Sequence, residues 1–463
     1  MIIDSHAHID TEPFDEDREE VIQRARDQGV EYILNVGCDI ESSRRSLDLA
    51  ERYDLVYSTA GVHPHDVKSI DEDTYAHLRV LLAHPKTLAV GETGLDFFKN
   101  YSPKEEQLIH FRKQVELARE LNKPIIVHTR DAQKDTIAIL ADYFPKNAPA
   151  GSGIFHCFSG DQYLADRALE MGFYISFSGS VTFKKADDLR AVAKTIPAER
   201  LFAETDCPYL APVPNRGKRN EPSFVRHVAQ ALADLRGVDI ADFERASALN
   251  FFELFGVGRQ AKTGTIAYQI RNSLYLNLTQ RCTADCVFCT RLTKPVVQGY
   301  NLKLDREPTA QELWEAIDDP KKYDQVVFCG FGEPTLRLDT LKEVAAKIKS
   351  AGGQVRLNTN GHGNIINKRN ILPELKGLID EVSVSLNADT SEAYDAVTQP
   401  LPGFRNGIYD KVKEFIVEAK KYIPKVQASI VTHQKEVDEE QCHDLAENTL
   451  GVQYRMRRYN IVG

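Results

Sequence analysis

Short apolar runs rich in β-forming residues alternate with helical stretches along residues 1–258. The segments between the runs, such as 105–121, carry apolar side chains at helical spacing. This alternation indicates βα units and a parallel sheet, and eight strands in about 250 residues are typical of a (β/α)8 TIM barrel. The eight predicted strands are residues 2–9, 32–37, 56–62, 87–91, 124–128, 153–156, 173–178 and 201–205. We therefore predict such a barrel for residues 1–258.

A second series of apolar runs follows residues 259–264, where the sequence shows no apolar periodicity and where we place a linker. Six strands in this series predict a smaller, partial (β/α)6 barrel over residues 265–463. Two domains also agree with the length of 463 residues, because single cores stop growing at about 250–300 residues. The six predicted strands are residues 273–279, 325–329, 354–359, 381–386, 425–431 and 452–459.

The composition, 42% hydrophobic and 27% charged, is that of an ordinary globular protein. The net charge of −10 is uneven, because residues 1–258 hold 30 Lys and Arg against 42 Asp and Glu, whereas residues 259–463 hold 28 against 26. An acidic first domain argues against tight non-specific binding to duplex DNA, but not against a metal site that takes one strand end.

Since the sequence shows neither a signal-peptide pattern nor an apolar run of roughly 18 residues, we expect a cytoplasmic protein with no membrane partner.

His6 and His8 stand two residues apart on the first predicted strand, so their imidazoles share one face. In a barrel strand that face points to the interior mouth, where enzymes of this fold build their active sites. Six ligand-type side chains at one rim predict a two-metal site, which clamps the oxygens of a phosphoryl transfer. The other four each end a different predicted strand and are Glu92, His128, His156 and Asp206.

The motifs that carry these residues resemble the TatD family of metal-dependent deoxyribonucleases, in the amidohydrolase-like superfamily, over essentially all of residues 1–258. The motifs are Asp4-Ser5-His6-Ala7-His8, Gly61-Val62-His63-Pro64-His65, Gly91-Glu92-Thr93-Gly94-Leu95-Asp96, His128-Thr129-Arg130, His156-Cys157-Phe158-Ser159-Gly160 and Glu204-Thr205-Asp206-Cys207-Pro208. The resemblance implies that one divalent cation is held by His6, His8, Glu92 and Asp206. It implies that a second is held by Glu92, His128 and His156. Asp206 and Glu92 are the candidate catalytic residues, with Asp206 able to take a proton from the attacking water.

His63, His65 and Arg130 are candidates to contact the substrate phosphate, because Arg pairs well with phosphate oxygens. The alternative for the two histidines is a hydrogen-bonded loop pair. The basic cluster at residues 216–219 either grips a nucleic-acid backbone or forms a solvated loop.

Cys282, Cys286 and Cys289 form a C-x-x-x-C-x-x-C motif just beyond a predicted strand. Three thiolates leave one iron of a [4Fe–4S] cluster open to another ligand, whereas a structural zinc site closes all four positions. The motif is the signature of radical SAM enzymes. The resemblance covers roughly residues 265–463 and is closest to the small radical SAM proteins associated with TatD nucleases. It implies one [4Fe–4S] cluster and S-adenosylmethionine (SAM) as cofactors.

Three further segments match places where radical SAM relatives contact SAM. The segment 330–334 looks like the family's Gly-Gly-Glu-Pro segment, which binds the methionine amino group, and Phe331 is a variant of that pattern. Segments 358–361 and 383–387 occupy the places of carboxylate and ribose contacts, although polar residues two apart also occur in ordinary sheets. The predicted SAM-binding residues are Gly330, Gly332, Glu333, Pro334, Asn358, Ser385 and Asn387.

The leading hypothesis is a metal-dependent phosphodiester hydrolase, an exonuclease on DNA, fused to a SAM-cleaving radical enzyme of unknown substrate. Its metals would be two Mg, Mn or Zn ions. Its partners would be DNA or a nucleotide, as a single strand or strand end, and an electron donor such as flavodoxin or ferredoxin. Two alternatives remain. The barrel hydrolyses a small amide or ester, since fold alone does not decide chemistry, or the cysteines hold zinc in an interaction module.

Overall fold

The structure is a computed structural model that describes residues 2–258, 264–292, 295–297, 299–405, 407–432 and 434–457. The chain divides into two compact units, Met1–Arg259 and Gln260–Gly463. Of the proposed linker at 259–264, only residue 264 lies within the described residues. Among the described residues, no helix is both long and apolar enough to cross a lipid bilayer.

The first unit is a parallel sheet of eight strands in sequence order, which confirms the predicted (β/α)8 class. The amide of Asp206 donates to the His6 carbonyl at 2.9 Å, and the amide of His8 donates to the Cys207 carbonyl at 2.9 Å, so the chain after the last strand meets the first. The strands are β1 (Ile2–Ala7), β2 (Val30–Asn35), β3 (Val56–Ala60), β4 (Thr87–Asp96), β5 (Ile125–Arg130), β6 (Gly153–Phe155), β7 (Phe173–Phe177) and β8 (Leu201–Ala203).

Helices follow the strands and cover the sheet. Their starts have local causes: Asp39, for example, accepts a hydrogen bond from the Ser42 amide at 2.7 Å and caps the second helix. The helices are α1 (Arg18–Asp27), α2 (Ile40–Arg52), α3 (Thr74–Leu82), α4 (Lys104–Glu120), α5 (Gln133–Ala141), α6 (Gln162–Glu170), α7 (Asp187–Thr195), α8 (Val225–Arg236) and α9 (Ile240–Phe255).

The last helix of this unit packs on apolar side chains of the strands. Phe251 and Leu254 of α9 belong to one buried cluster with Ile3, Ile126 and Phe202, which lie on three different strands. A larger cluster fills the layer between the sheet and the surrounding helices. Because apolar residues occupy these layers, the polar ligand-type residues are left at the C-terminal ends of the strands.

The second unit contains the six predicted parallel strands, and an antiparallel strand at one edge that the sequence analysis missed. The strands are β9 (Ala267–Ile270), β10 (Ser273–Leu276), β11 (Val296–Val297), β12 (Tyr300–Asn301), β13 (Gln325–Phe328), β14 (Val355–Thr359), β15 (Glu381–Ser385), β16 (Lys425–Val431) and β17 (Gln453–Arg457). Their order in the main sheet is β17-β16-β15-β14-β13-β10-β9, and β11 pairs with β12. The predicted end of the last strand, residues 458–459, lies outside the described residues.

One face of this open sheet is apolar and the other is polar. Leu357 and Val382 point into the core shared with the helices, whereas Asn358, Ser383 and Gln427 alternate with such apolar positions and face the opposite side. A polar inner face suits a binding cavity. The helices are α10 (Ala310–Glu315), α11 (Leu338–Ser350), α12 (Gly363–Ile366), α13 (Leu372–Leu375), α14 (Ser391–Thr398), α15 (Ile408–Ala419) and α16 (Glu439–Asp444).

Candidate functional site

Four ligand-type side chains meet at the mouth of the first barrel. Nε2 of His6 lies 3.2 Å from Nε2 of His8 and 3.3 Å from Oε2 of Glu92. Oδ1 of Asp206 lies 3.9 Å from Nε2 of His6 and 3.6 Å from Nε2 of His8. Tetrahedral ligands with metal bonds of about 2.0–2.2 Å stand about 3.3–3.6 Å apart. These four atoms therefore have close to the spacing that one divalent cation requires.

A second group of ligand-type atoms surrounds the other oxygen of Glu92. Oε1 of Glu92 lies 2.7 Å from Nε2 of His156 and 2.9 Å from Nδ1 of His128. Those two imidazole nitrogens are 3.2 Å apart. Nε2 of His63 lies 3.3 Å from the same oxygen, which adds a residue that the sequence analysis assigned to the substrate phosphate.

Glu92 thus presents one carboxylate oxygen to each group, which is the arrangement of a bridging ligand. Three triplets of ligand atoms lie within 4.8 Å of one another, and they are His6 with His8 and Glu92, His6 with His156 and Asp206, and His63 with Glu92 and His128. The donor set of imidazoles and carboxylates suits zinc, manganese and other divalent ions. The residues present therefore fit two cations.

A hydrogen bond behind the His8 imidazole selects which of its nitrogens faces the site. Nδ1 of His8 lies 2.9 Å from the Val36 carbonyl oxygen, so it carries the proton and leaves Nε2 as an acceptor. His6 stacks on His156 with ring centroids 3.9 Å apart. A carbonyl group that accepts the other ring N–H orients a ligating histidine in metal sites.

The site concentrates five histidines around the Glu92 carboxylate, and they are His6, His8, His63, His128 and His156. Burial raises the pKa of Glu92, but the charge of His156 and the hydrogen bonds from His156 and His128 contribute to holding its pKa well below the usual range. Burial opposes protonation of His156, yet Glu92 and Glu204 raise its pKa to about 10. Burial lowers the pKa of His63 to about 4. Glu92 is therefore an anion at neutral pH, as a bridging ligand must be.

Supporting carboxylates were missed by sequence reasoning, although they stand in the same motifs. Oδ2 of Asp96 lies 3.3 Å from Nε2 of His128 and 2.8 Å from Nε2 of His65. Oε1 of Glu204 lies 3.5 Å from Nδ1 of His156. Each carboxylate stands on the far side of an imidazole that faces Glu92. Their presence two or four residues from a ligand in a quoted motif was the available signal.

Asp4 connects the first strand to the segment that carries Asp206. Its carboxylate accepts hydrogen bonds from the amide of Thr205 at 2.8 Å and from its hydroxyl at 2.6 Å. Burial raises the pKa of Asp4 to about 8. The contact fixes the position of the Asp206 segment relative to His6.

Glycines in two of the motifs, Gly94 and Gly61, permit a close approach of neighbouring strands. Gly94 has φ +146°, and a Cβ there would lie 1.9 Å from the carbonyl oxygen of His128. A Cβ on Gly61 would lie 2.6 Å from Cα of Gly91. Only glycine fits where strand backbones approach this closely. These contacts bring Glu92 beside His63 and His128.

The predicted phosphate contacts have different surroundings. His65 contacts Asp96, whereas Arg130 is exposed and stacks over the ring of Phe98 with 3.9 Å from Cζ to the centroid. In the basic cluster at 216–219, all four residues are exposed and Arg219 is already paired with Asp17 at 2.7 Å. This pairing favours the solvated-loop interpretation for Arg219.

In the second unit, the three cysteines of the motif lie in the loop after β10 and are half-buried. Burial and the neighbouring thiols of Cys282 and Cys289 raise the pKa of Cys286 to about 12. The loop is fixed by backbone bonds, such as that from the Val287 amide to the Val397 carbonyl at 2.9 Å. Among the described residues, triplets of ligand atoms within 4.8 Å form only in the first unit.

The predicted SAM segment 330–334 packs directly against the cysteine loop. A Cβ on Gly332 would lie 2.2 Å from the Thr279 carbonyl oxygen, so glycine is required for this approach. A Cβ on Gly330 would lie 2.5 Å from Oδ1 of Asn277. Pro334 is buried at the start of the following 3-10 helix. The segment is therefore held against the strand that leads to the cysteines.

The Glu333 carboxylate is buried and already committed to hydrogen bonds. It accepts them from the Thr335 amide at 3.0 Å, from the Thr359 hydroxyl at 2.8 Å and from the Asn360 amide at 2.8 Å. The Asn360 side chain in turn contacts Sγ of Cys282 at 3.8 Å. Glu333 thus links the segment after β13 with the segment after β14 and with the cysteine loop.

Of the predicted SAM contacts, Asn358 and Ser385 lie on the polar inner face of the sheet, and Asn387 follows the end of β15. Oδ1 of Asn358 is buried and has no hydrogen-bond partner among the described residues. Nη2 of Arg457 donates to Oγ of Ser385 at 3.2 Å and lies 3.4 Å from Oδ1 of Asn387. Burial lowers the pKa of Arg457. Sequence reasoning missed this arginine, because nothing in its neighbours marks it as part of a motif.

Comparisons with known proteins match each of the two parts of the chain to a family. The family model described as TatD related DNase matches residues 3–256, and that of the Radical SAM superfamily matches residues 276–446. The uncharacterized metal-dependent hydrolase YabD of Bacillus subtilis is 44% identical over 257 residues, which cover 56% of this chain and 100% of YabD. The 3'-5' ssDNA/RNA exonuclease TatD of Cronobacter sakazakii is 38% identical over 260 residues, covering 55% of this chain and 97% of that protein.

Among solved structures, the TatD homolog YJJV of Escherichia coli is 30% identical with a TM-score of 0.52, and the match covers 56% of this chain and 98% of YJJV. The chain therefore belongs to the TatD-related DNase family, and it carries a radical SAM domain fused to the TatD domain.

Proposed function

We propose that the first domain is a two-metal phosphodiesterase that removes nucleotides from the ends of single-stranded DNA. The observation that carries this proposal is the position of Glu92, whose two carboxylate oxygens face two separate groups of ligand atoms. Enzymes that carry out an in-line displacement at phosphorus commonly use two cations a few ångströms apart, which stabilise the attacking and leaving oxygens.

Each residue of the site has a role that follows from its position. Divalent cations, when bound, lower the pKa of water and neutralise charge on phosphoryl oxygens. Asp206 offers a carboxylate beside His6 and His8 and accepts the proton of the attacking water. Glu92 remains anionic and holds the two ligand groups together. The exposed guanidinium of Arg130 binds a phosphate oxygen of the strand.

The choice of a nucleic-acid strand over a small amide or ester rests on two arguments. The relative from Cronobacter sakazakii carries the name of a single-strand exonuclease. In addition, the bridging position is occupied by Glu92 and not by a lysine, which the amidohydrolase alternative would use as a carbamate. The acidic first domain restricts binding to one strand end near the cations.

Hydrolysis of single-stranded oligonucleotides in Mg2+, Mn2+ and Zn2+ tests the proposal. We expect stepwise removal of nucleotides by the native chain and its loss in the His6→Ala and Asp206→Ala variants. The matched control is Asp142→Ala, an exposed carboxylate paired with Arg112 on the outer helices. A chain that leaves every phosphodiester intact but cleaves esters or amides in a substrate panel would overturn the proposal.

For the second domain we propose a SAM-cleaving radical site with one [4Fe–4S] cluster on Cys282, Cys286 and Cys289. Its support is the family match together with the C-x-x-x-C-x-x-C spacing of the three cysteines in the sequence. The cluster, when bound, supplies one electron to SAM, from a donor such as flavodoxin or ferredoxin. Since all eight cysteines are free thiols, we also propose a reducing compartment, the cytoplasm.

Anaerobic reconstitution with iron and sulfide separates this proposal from the zinc module. We expect a brown protein that absorbs near roughly 400 nm, as cysteine-ligated clusters do, and loss of that absorption in Cys282→Ser. Cys442→Ser is the control, because Cys442 is buried in α16 and outside the motif. A colourless protein with stoichiometric zinc would overturn the radical site.

A further inference from the structure

Two aromatic side chains are exposed at the rim of the first barrel. Phe98 and Tyr101 lie in the loop that follows β4, and each is 56% exposed to solvent. Burial of an aromatic ring contributes strongly to folding stability. More than half of each of these two side chains nevertheless remains exposed to solvent. Two exposed rings within four residues of one loop therefore offer stacking surface to a ligand.

The loop is connected directly to the metal centre. The amide of Lys99 donates to Oδ1 of Asp96 at 2.8 Å, and Oδ2 of the same carboxylate lies 3.3 Å from Nε2 of His128. The ring of Tyr101 lies 4.7 Å from that of His65, measured between centroids. His65 and Asp96 therefore stand between a ligand stacked on these rings and the side chains that surround Glu92.

Hydrogen bonds hold the loop in one conformation. The side-chain amide of Gln107 donates to the Ser102 carbonyl at 2.9 Å and to the Asp96 carbonyl at 3.2 Å. The Ser102 hydroxyl donates to the His65 carbonyl at 2.6 Å, and Lys68 Nζ donates to the Tyr101 carbonyl at 3.0 Å. A fixed loop loses little entropy when a ligand binds.

Cationic groups lie beside both rings. Cζ of Arg130 lies 3.9 Å from the centroid of Phe98, and Nζ of Lys99 lies 5.9 Å from the centroids of Phe98 and Tyr101. Within the part of the chain that the structure describes, the Arg130 guanidinium makes no hydrogen bond or ion pair, so its N–H groups are available. Proteins that bind single strands combine such aromatic platforms for bases with cations for phosphates.

We propose that Phe98 and Tyr101 form a nucleobase-stacking subsite that selects an unpaired strand end, with Arg130 and Lys99 on its backbone. The proposal rests on the phosphodiesterase function and specifies how that site recognises its substrate. A paired base stays within the duplex stack and does not reach the rings. The subsite therefore accounts for binding of single strands by a domain whose overall charge is acidic.

The test compares two single strands that differ only in their bases. One is an ordinary oligonucleotide, and the other has abasic residues at its terminal positions and the same phosphates. We expect the native chain to have a KM about tenfold lower for the ordinary strand, in line with stacking contributions to single-strand binding. Phe98→Ala and Tyr101→Ala should remove most of that preference, and the conservative Phe98→Tyr and Tyr101→Phe should retain it.

Ile109→Ala is the control, because Ile109 is 53% exposed on the outer helix α4. Anisotropy measurements with cleavage-resistant phosphorothioate strands give a second readout that does not need hydrolysis. Equal binding of the two strands, or an unchanged preference in both alanine variants, would overturn the subsite even if the chain is a phosphodiesterase. A preference in binding without any hydrolysis would support the subsite and overturn the phosphodiesterase proposal.

Discussion

Oδ2 of Asp96 lies 3.3 Å from Nε2 of His128, the ring nitrogen opposite the one that faces Glu92. A carboxylate in this position orients a ligating histidine and raises its basicity, and its loss typically reduces metal affinity about 10- to 100-fold. We expect Asp96→Asn to weaken the second cation by about that factor and to leave the first unchanged. Calorimetric titration of the chelator-treated chain with Mn2+ or Zn2+ measures both affinities.

The control for this prediction is Asp142→Asn, since Asp142 is an exposed carboxylate paired with Arg112. If Asp96→Asn and Asp142→Asn bind both cations as the native chain does, Asp96 has no part in holding the metal site. Circular dichroism of each variant checks that the barrel remains folded.

His63 is the second residue whose role metal binding can decide. Its Nε2 lies 3.3 Å from Oε1 of Glu92, within the ligand group that also contains His128. We expect His63→Gln to weaken the second cation, because it removes one of the few imidazole nitrogens on that side. His65→Gln should still bind two cations, since His65 contacts Asp96 and not Glu92. Full metal binding by His63→Gln, with a raised KM, would return His63 to the substrate phosphate.

The strands and the ligand residues could be predicted because local patterns determine them. Apolar runs separated by helical segments defined both sheets, and the spacing of His6 and His8 placed two imidazoles on one face. The barrel then brings together the ends of all strands, whatever their separation in the sequence. For this reason the meeting of His6, Glu92 and Asp206 followed from the fold class alone.

The features that were missed depend on contacts between strands. The fourth strand was predicted to end at Gly91, whereas β4 continues to Asp96. The backbone of β5 approaches so closely at Gly94 that glycine extends the pairing there. The partnership of Asp96 with His128 depends on this longer pairing. Arg457 likewise acquires its partners from elsewhere in the chain, Ser385 from β15 and Asn387 from the segment that follows it.

Gly94 gives a prediction about the fold of the site. Its φ of +146° and the 1.9 Å between an added Cβ and the His128 carbonyl oxygen both oppose a side chain. We expect Gly94→Ala to destabilise the first unit by about 3 kcal/mol or more, as clashes of backbone with backbone do, and to weaken the cation near His128. Chemical unfolding followed by circular dichroism measures the first effect, and metal titration the second.

Gly151→Ala separates steric clash from backbone conformation. Gly151 has φ +131°, but nothing lies within 4 Å of an added Cβ. Its substitution should cost about 1–3 kcal/mol for the conformation alone and leave metal binding intact. Equal destabilisation by the two substitutions, with metal binding retained in both, would show that the contact with His128 does not position the site.

The second unit provides a prediction about pH through His362. The imidazole is fully buried, with Nδ1 2.7 Å from the Thr283 hydroxyl and Nε2 2.9 Å from the Tyr394 hydroxyl. Burial lowers its pKa from 6.5 to about 4. The unfolded chain therefore takes up a proton near pH 6.5, whereas the folded chain does so only near pH 4. Between these values the stability of the fold decreases as the pH falls.

From these two pKa values, the linkage between protonation and folding predicts an effect of His362 alone. It makes the second unit about 2 kcal/mol less stable at pH 5 than at pH 7. The chain has one tryptophan, Trp314 of α10, so its fluorescence reports unfolding of this unit in urea. His362→Gln should remove about 2 kcal/mol of the difference between the two pH values, since glutamine keeps polar contacts without titrating. His443→Gln, at an exposed site on α16, should not. The same pH dependence in His362→Gln and the native chain would mean that other groups cause it.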